Sequence, residues 1–392
     1  MRSSHTVGAA QIGGGWVGAM KASATPAAAT TGGRAAERRG GADVGGMAIL
    51  AVCAAWALIT TGVRGGRPDG VLLAILAVAA GYAGGRVAGA LLPVAAPCVG
   101  ALAGVGLAAA APHVTPGPVS SSPLGPIGAT AALLSLAAGA ACCAAWSARG
   151  AALRAGLRVF AAGIVLAAAL LGSTAGVIAC AGIVLCSLAA ALVRSRGLGL
   201  SGFAVAAAVV TGLAWAVARG ALPEGLRSSL EGQLGPYRVR VWQDAEGLAG
   251  AHPALGVGPG RFGDAAPSAG EGVLVDDKPH SALLQQGAEQ GFVGVALLAA
   301  AFCWLLFALW RSPRPTQVVL SAGAALTALA GVATVGNALS VTSVTVGAGL
   351  LAGIATARPL HEEAQDTEST EDAEDAARVR PARSRGGRGA PG

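Results

Sequence analysis

DDKPHSALLQQGAEQGFVGVALL, residues 276–298, begins as a polar helix start and ends as hydrocarbon. Asp276 and Asp277 complement the positive end of a helix dipole, Pro279 suits a first helical turn, and His280 follows it directly. From Phe292 the apolar run continues to residue 310 without a charge. A helix with one end in water and the other long enough for about 30 Å of hydrocarbon is a membrane span. The spacing predicts one continuous helix with His280 in its first turn, at the membrane surface. There the helix dipole disfavours the imidazolium while the two aspartates favour it, which leaves a neutral fraction of the ring. Glu289, nine residues on, falls about half a revolution round and roughly 13 Å along such a helix, out of reach of that histidine. Gly287, Gly291 and Gly294 read as small residues for close helix packing.

The same pattern fills the chain on either side. Of 392 residues, 54% are hydrophobic and only 12% charged, which excludes an ordinary soluble domain. Apolar runs long enough to span occur at about 47–63, 70–85, 88–111, 125–147, 156–171, 175–193, 202–218, 292–310, 317–336 and 340–357. The expected fold is therefore an all-α polytopic membrane protein of about ten transmembrane helices with one long loop. Residues 46–218 hold the first seven spans, 219–291 the loop, and 292–357 the last three. Arginine sets the orientation. Arg34, Arg38, Arg39, Arg86, Arg149, Arg154, Arg158, Arg194, Arg196, Arg311 and Arg314 fall on one side, against Arg64 and Arg67 in the short loops of the other. That bias makes both termini cytoplasmic and the long loop extracytoplasmic, in a cytoplasmic (inner) membrane. Residues 1–45 lack a usable period and 358–392 carry blocks of acid and then base, so both read as disordered tails. The basic balance is largely topological arginine and does not point to nucleic acid. All seven cysteines lie in expected spans, with no metal-ligand spacing, and read as small packing residues.

The chemistry is concentrated in 219–291. PYRVRVWQDAEGLAGA (236–251) has proline at a helix start and places Arg238, Trp242 and Ala245 on one face. Arg240 and Asp244 fall on another face and can pair, which leaves Arg238 as the arginine available to a ligand. In HPALGVGPGRF (252–262), Gly256, Gly258 and Gly260 make a side-chain-poor turn whose N–H groups can approach an anion, and Arg261 follows. Most glycine-rich loops are turns and nothing more. His252 reads as a positional residue.

Taken together, R-x-x-x-W (Arg238, Trp242), P-x-x-G-x-G-x-G-x-F (Pro253 to Phe262) and H-x-x-x-L-x-x-x-x-E-x-G-x-x-G (His280 to Gly294) resemble the signature region of the O-antigen ligase and polysaccharide polymerase superfamily. The order and internal spacing agree over about 235–300. The resemblance implies a glycosyltransferase C-like helical fold and a metal-independent enzyme without cofactors. It would transfer a glycan from an undecaprenyl-pyrophosphate donor to a hydroxyl of a glycan, lipid or wall-polymer acceptor, with membrane lipid around it. It also implies that Arg238 holds the pyrophosphate and His280 acts on the acceptor hydroxyl. Arg240, Arg261, Gly256, Gly258 and Gly260 complete the expected substrate contacts. This chain departs from the pattern in having Ser281 where asparagine usually follows the histidine, and Ser173-Thr174 where a Ser-Arg pair is frequent.

The residue chemistry is compatible with that implication. A pyrophosphate leaving group gathers negative charge that arginines can neutralise. An acceptor hydroxyl needs a proton acceptor, and histidine is the usual one near neutral pH. A polytopic transporter is the alternative from another class, and an inactive family member a third reading. A transporter predicts charged or broken helices near the midplane and internally repeated halves. The spans here are nearly charge-free.

Overall fold

A computed structural model describes residues 29–114, 125–193, 195–221, 223, 225, 236–267, 279–358 and 360. The chain divides into two units, Met1–Gly41 and Ala42–Gly392, and the site lies in the second. The described residues form helices and no strands: α1 (Ala29–Arg64), α2 (Asp69–Leu91), α3 (Ala95–Val114), α4 (Gly125–Ser147), α5 (Ala151–Leu170), α6 (Thr174–Ala189), α7 (Arg196–Ala218), α8 (Pro236–Ala251), α9 (Phe262–Ala265), α10 (Ala282–Trp310), α11 (Thr316–Val335) and α12 (Thr342–Thr356). Seven of them are long and apolar enough to cross a membrane by length and composition, and shorter apolar helices lie at Ala95–Ala110, Thr174–Ala189 and Thr342–Thr356. Each coincides with one of the expected runs.

Two expectations need correction. The segment 1–45 was expected to be a structureless tail, yet α1 already begins at Ala29. Helix propensity does not account for this start, because 29–46 carries six glycines against four alanines. The break expected near residues 86–87 falls at Leu92–Val94 instead. Gly81, Gly85 and Gly89 do not weaken α2 because they are its contact surface. A Cβ on Gly81 or Gly85 would strike backbone of Val346 or Leu350 in α12, and one on Gly89 would crowd Ile354 and Ala357. Reciprocally, Gly349 and Gly353 meet the backbone at Val78 and Tyr82. Small residues every fourth position let the two helix axes approach closely, which is how helices pack where lipid competes for every apolar contact.

The core runs through α4, α11 and α12, where Leu134, Val319, Leu326, Val344 and Leu351 are buried together. Outer helices leave large apolar side chains uncovered, among them Val159, Leu170, Ile178 and Leu198. Surfaces of that kind require hydrocarbon around them.

Hydrogen bonds define the two ends of the bundle. At one end Arg196 donates to the carbonyls of Ser312 (2.6 Å) and Arg314 (2.8 Å), beyond the end of α10. Buried Arg314 donates to Ala357 (2.9 Å) and Gly89 (2.7 Å), and Arg86 bonds Asp43 (2.6 Å). Arg196 and Arg314, read from sequence as topological charge, satisfy carbonyls that helix ends leave open, while Arg86 forms an ion pair. The opposite end carries the α1–α2 corner, α8, α9 and the start of α10.

Candidate functional site

The site begins with α8. Arg238, Trp242, Ala245 and Ala249 form its inner face, with 7%, 1%, 0% and 0% exposure, while Arg240 is exposed. The expected faces are thus the observed ones. Trp242, Phe262 and Leu284, apolar members of the three submotifs, are packed into one small core with Ala288 and the end of α7. The indole N–H of Trp242 donates to the carbonyl of Pro279 (2.8 Å), the residue before His280. One turn earlier on the same face, Arg238 donates through Nη1 to the carbonyl of Val335 (2.9 Å), the last residue of α11. Burial pulls its guanidinium below the ordinary arginine value. Trp242 thus links the helix face that carries Arg238 to the backbone that carries His280.

His280 is not in the first turn of a helix. α10 starts at Ala282 with Ser281 as its N-cap, whose hydroxyl accepts from the N–H of Leu284 (3.4 Å). His280 precedes the cap with φ 48°, the left-handed region that few residues other than glycine adopt. The cap won because serine bonds the open N–H groups, whereas Pro279 was offered a helical position it does not take. Asparagine caps equally well, so Ser281 preserves the local geometry the family's usual residue would give. Asp276 and Asp277 lie outside the described residues.

Nor is the helix continuous. At Gly291 (φ 69°, ψ −171°) α10 breaks into arms of 282–290 and 292–310. A break frees carbonyls before it and N–H groups after it, and the loop HPALGVGPG accounts for them. The N–H groups of Val257 and Gly258 donate to Ala288 and Glu289, both at 2.9 Å, and the N–H of Phe292 donates to Pro253 (2.8 Å). The carbonyl of Gln290 accepts from the indole of Trp56 in α1 (3.2 Å). This backbone-to-backbone contact needs glycine on both sides. A Cβ on Gly256 would strike the carbonyls of Ala288 and Glu289, and one on Gly291 those of Pro253 and Ala254. Two of the three N–H groups expected to form a cradle thus face protein carbonyls: Gly256 donates to His252, Gly258 to Glu289. Glu289, given no role from sequence, is buried behind this loop, with Gln285 donating to its carboxylate (3.1 Å).

Arg261 belongs to a different corner. Its Nη1 donates to the carbonyl of Arg64 (2.7 Å), and the N–H of Arg67 donates to Pro259 (2.8 Å), so the glycine loop is seated on the α1–α2 turn. Arg64, Arg261, His252 and Asp264 line a cavity of about 380 Å³ there. His252 follows the last residue of α8 and Arg238 lies near its first, which separates them by about 20 Å at 1.5 Å per residue. Arg238 and His280 are connected through Trp242 and Pro279, and Arg261 lies at the other end of α8. No spacing within 219–291 signals Arg64, because its contact with Arg261 spans 197 residues.

Residues 159–299 match the O-antigen ligase family. No curated protein and no solved structure gives a match. The matched segment runs from α5 to the second arm of α10 and contains every motif described above.

Proposed function

From the match of residues 159–299 to the O-antigen ligase family, we propose that the chain is a glycosyltransferase acting on the outer face of the cytoplasmic membrane, with both termini cytoplasmic. It takes a glycan from undecaprenyl pyrophosphate and gives it to a hydroxyl of a glycan, lipid or wall-polymer acceptor. The observation that carries this reading is that buried Arg238 lies one turn from Trp242, whose indole N–H holds the carbonyl immediately before His280. In the proposed step the acceptor oxygen attacks the anomeric carbon, the bond from that carbon to the pyrophosphate oxygen breaks, and undecaprenyl pyrophosphate departs with the electron pair. His280 takes the proton of the acceptor hydroxyl. Arg238 faces the charge that grows on the leaving oxygen, where a fixed cation in a site shielded from water acts most strongly. Arg240, exposed on the far side of α8, contributes by charge at longer range.

The break at Gly291 bears on the transporter alternative, which expects broken helices. In a transporter the freed carbonyls are left for substrate or ion. Here those of Ala288, Glu289 and Gln290 are already bonded to Val257, Gly258 and Trp56, which supports the enzyme. The test is reconstitution in vesicles with a lipid-pyrophosphate glycan donor and a glycan acceptor. Formation of a glycosidic bond, with release of undecaprenyl pyrophosphate, is the expected result. Uptake or release of glycan across the vesicle without any new glycosidic bond would overturn the assignment.

A further inference from the structure

The cavity at the α1–α2 corner is not accounted for by the transfer step. Its walls combine Val63 and Val257 with Arg64, Arg261, His252 and Asp264, two fixed cations against one carboxylate. Arg261 is oriented before any ligand arrives: Nη1 is held by the Arg64 carbonyl at 2.7 Å, and Nε lies 4.0 Å from Asp264. Among the described residues, neither the guanidinium of Arg64 nor the imidazole of His252 has a hydrogen-bond partner. The volume is in the range that takes a small ligand such as a single sugar with a charged substituent. A planar guanidinium fork fits both carboxylate and phosphate oxygens.

Position narrows the choice of ligand. The cavity stands at the glycine-loop end of α8, about 20 Å from Arg238 by helix rise. That is too far to hold the pyrophosphate whose bond is broken, and it is on the same side of the bundle, joined by one rigid helix. A glycan several sugars long spans such a distance. We propose that this cavity is a distal glycan subsite that binds an oxyanion, carboxylate or phosphate, carried on a sugar several units from the bond being made. The inference rests on the glycosyltransferase reading for the identity of the glycan, though the site itself is defined by its own residues.

Binding is measured on the full-length protein in lipid nanodiscs, by calorimetry, so no transfer is required. Three probes are compared: a galacturonate tetramer, maltotetraose, and maltotetraose carrying a 6-phosphate. Either acidic probe, or both, should bind at least about tenfold more tightly than neutral maltotetraose, and which one binds identifies the oxyanion. Arg64→Gln removes a side chain that makes no bond within the described residues, so it should keep the fold and weaken acidic binding by roughly tenfold or more. Arg261→Gln should do the same, while Arg219→Gln, which removes another cation from the same side of the bundle, should leave binding unchanged. Equal binding of acidic and neutral probes, no binding of any, or undiminished acidic binding by Arg64→Gln would overturn the subsite. Acidic binding that depends on Arg64 in a protein that forms no glycosidic bond would leave the subsite standing and remove the enzyme reading alone.

Discussion

Trp242 is the residue on which the candidate site turns. Its ring fills the small core beside Phe262 and Leu284, and its N–H fixes the carbonyl that immediately precedes His280. The histidine is thereby set by a tertiary bond and a left-handed backbone rather than by helix geometry, which permits a sharp test. His280→Gln keeps size and hydrogen-bonding capacity but cannot accept a proton usefully. It should lower transfer by about 10²–10⁴-fold in a reconstituted assay with a lipid-pyrophosphate donor. Near-native turnover by this variant would remove the base assignment. The two arginines of α8 should separate as well. Arg238→Ala should cost about 10²–10³-fold in turnover, and Arg240→Ala less than tenfold, with both proteins recovered from the membrane in normal amount. Similar small losses for both would mean that burial on the inner face of α8 does not mark the phosphate contact.

At the scale of elements, glycine pairs decide which helices can touch. Gly85 and Gly84 are neighbours in α2 with opposite surroundings: a Cβ on Gly85 meets the backbone of Leu350, and one on Gly84 meets nothing within 4 Å. Gly85→Val should therefore force α2 from α12 and cost about 1–3 kcal/mol or more, seen as a lower melting temperature in detergent. Gly84→Ala should be neutral or slightly stabilising, because alanine favours the helix. A drop of the same size in both would show that the α2–α12 contact is not as close as drawn. These cases also show where sequence was legible. Helix existence followed from apolar run length, and the buried face of α8 followed from the spacing of Arg238, Trp242 and Ala245. The break at Gly291 did not, since its cause is a loop some thirty residues earlier in the chain, and Gly287, Gly291 and Gly294 look alike as small residues until Pro253 and Ala254 are placed against one of them. Similarly, Gly81 and Gly85 weaken a helix considered alone and hold it in place once α12 is beside it. The α1–α2 corner was legible only as charge.

Across the whole molecule, the arginines that bond carbonyls at one end and the loop elements at the other give the bundle two unlike faces. Reporter fusions after Ala251 should score as extracytoplasmic and fusions after Ala364 as cytoplasmic, as the arginine bias requires. A cytoplasmic reading for Ala251 would end the proposed function, because the lipid-linked donor is expected outside.

The clasp at Gly291 has a consequence for biosynthesis. Trp56 emerges early and its partner Gln290 comes 234 residues later; the glycine loop can rest on the α1–α2 turn beforehand, but the N–H groups of Val257 and Gly258 meet their carbonyls only once the first arm of α10 is made. The loop is therefore translocated while only its α1–α2 side has partners, and it waits on the far side of the membrane for α10 to close the other. A nascent chain halted before residue 282 should expose 252–261 to protease added from that side, and release of the halt should bring protection only once α10 has inserted. In such a protein the working face is completed by a late event in synthesis, after most of its scaffold is already in the lipid.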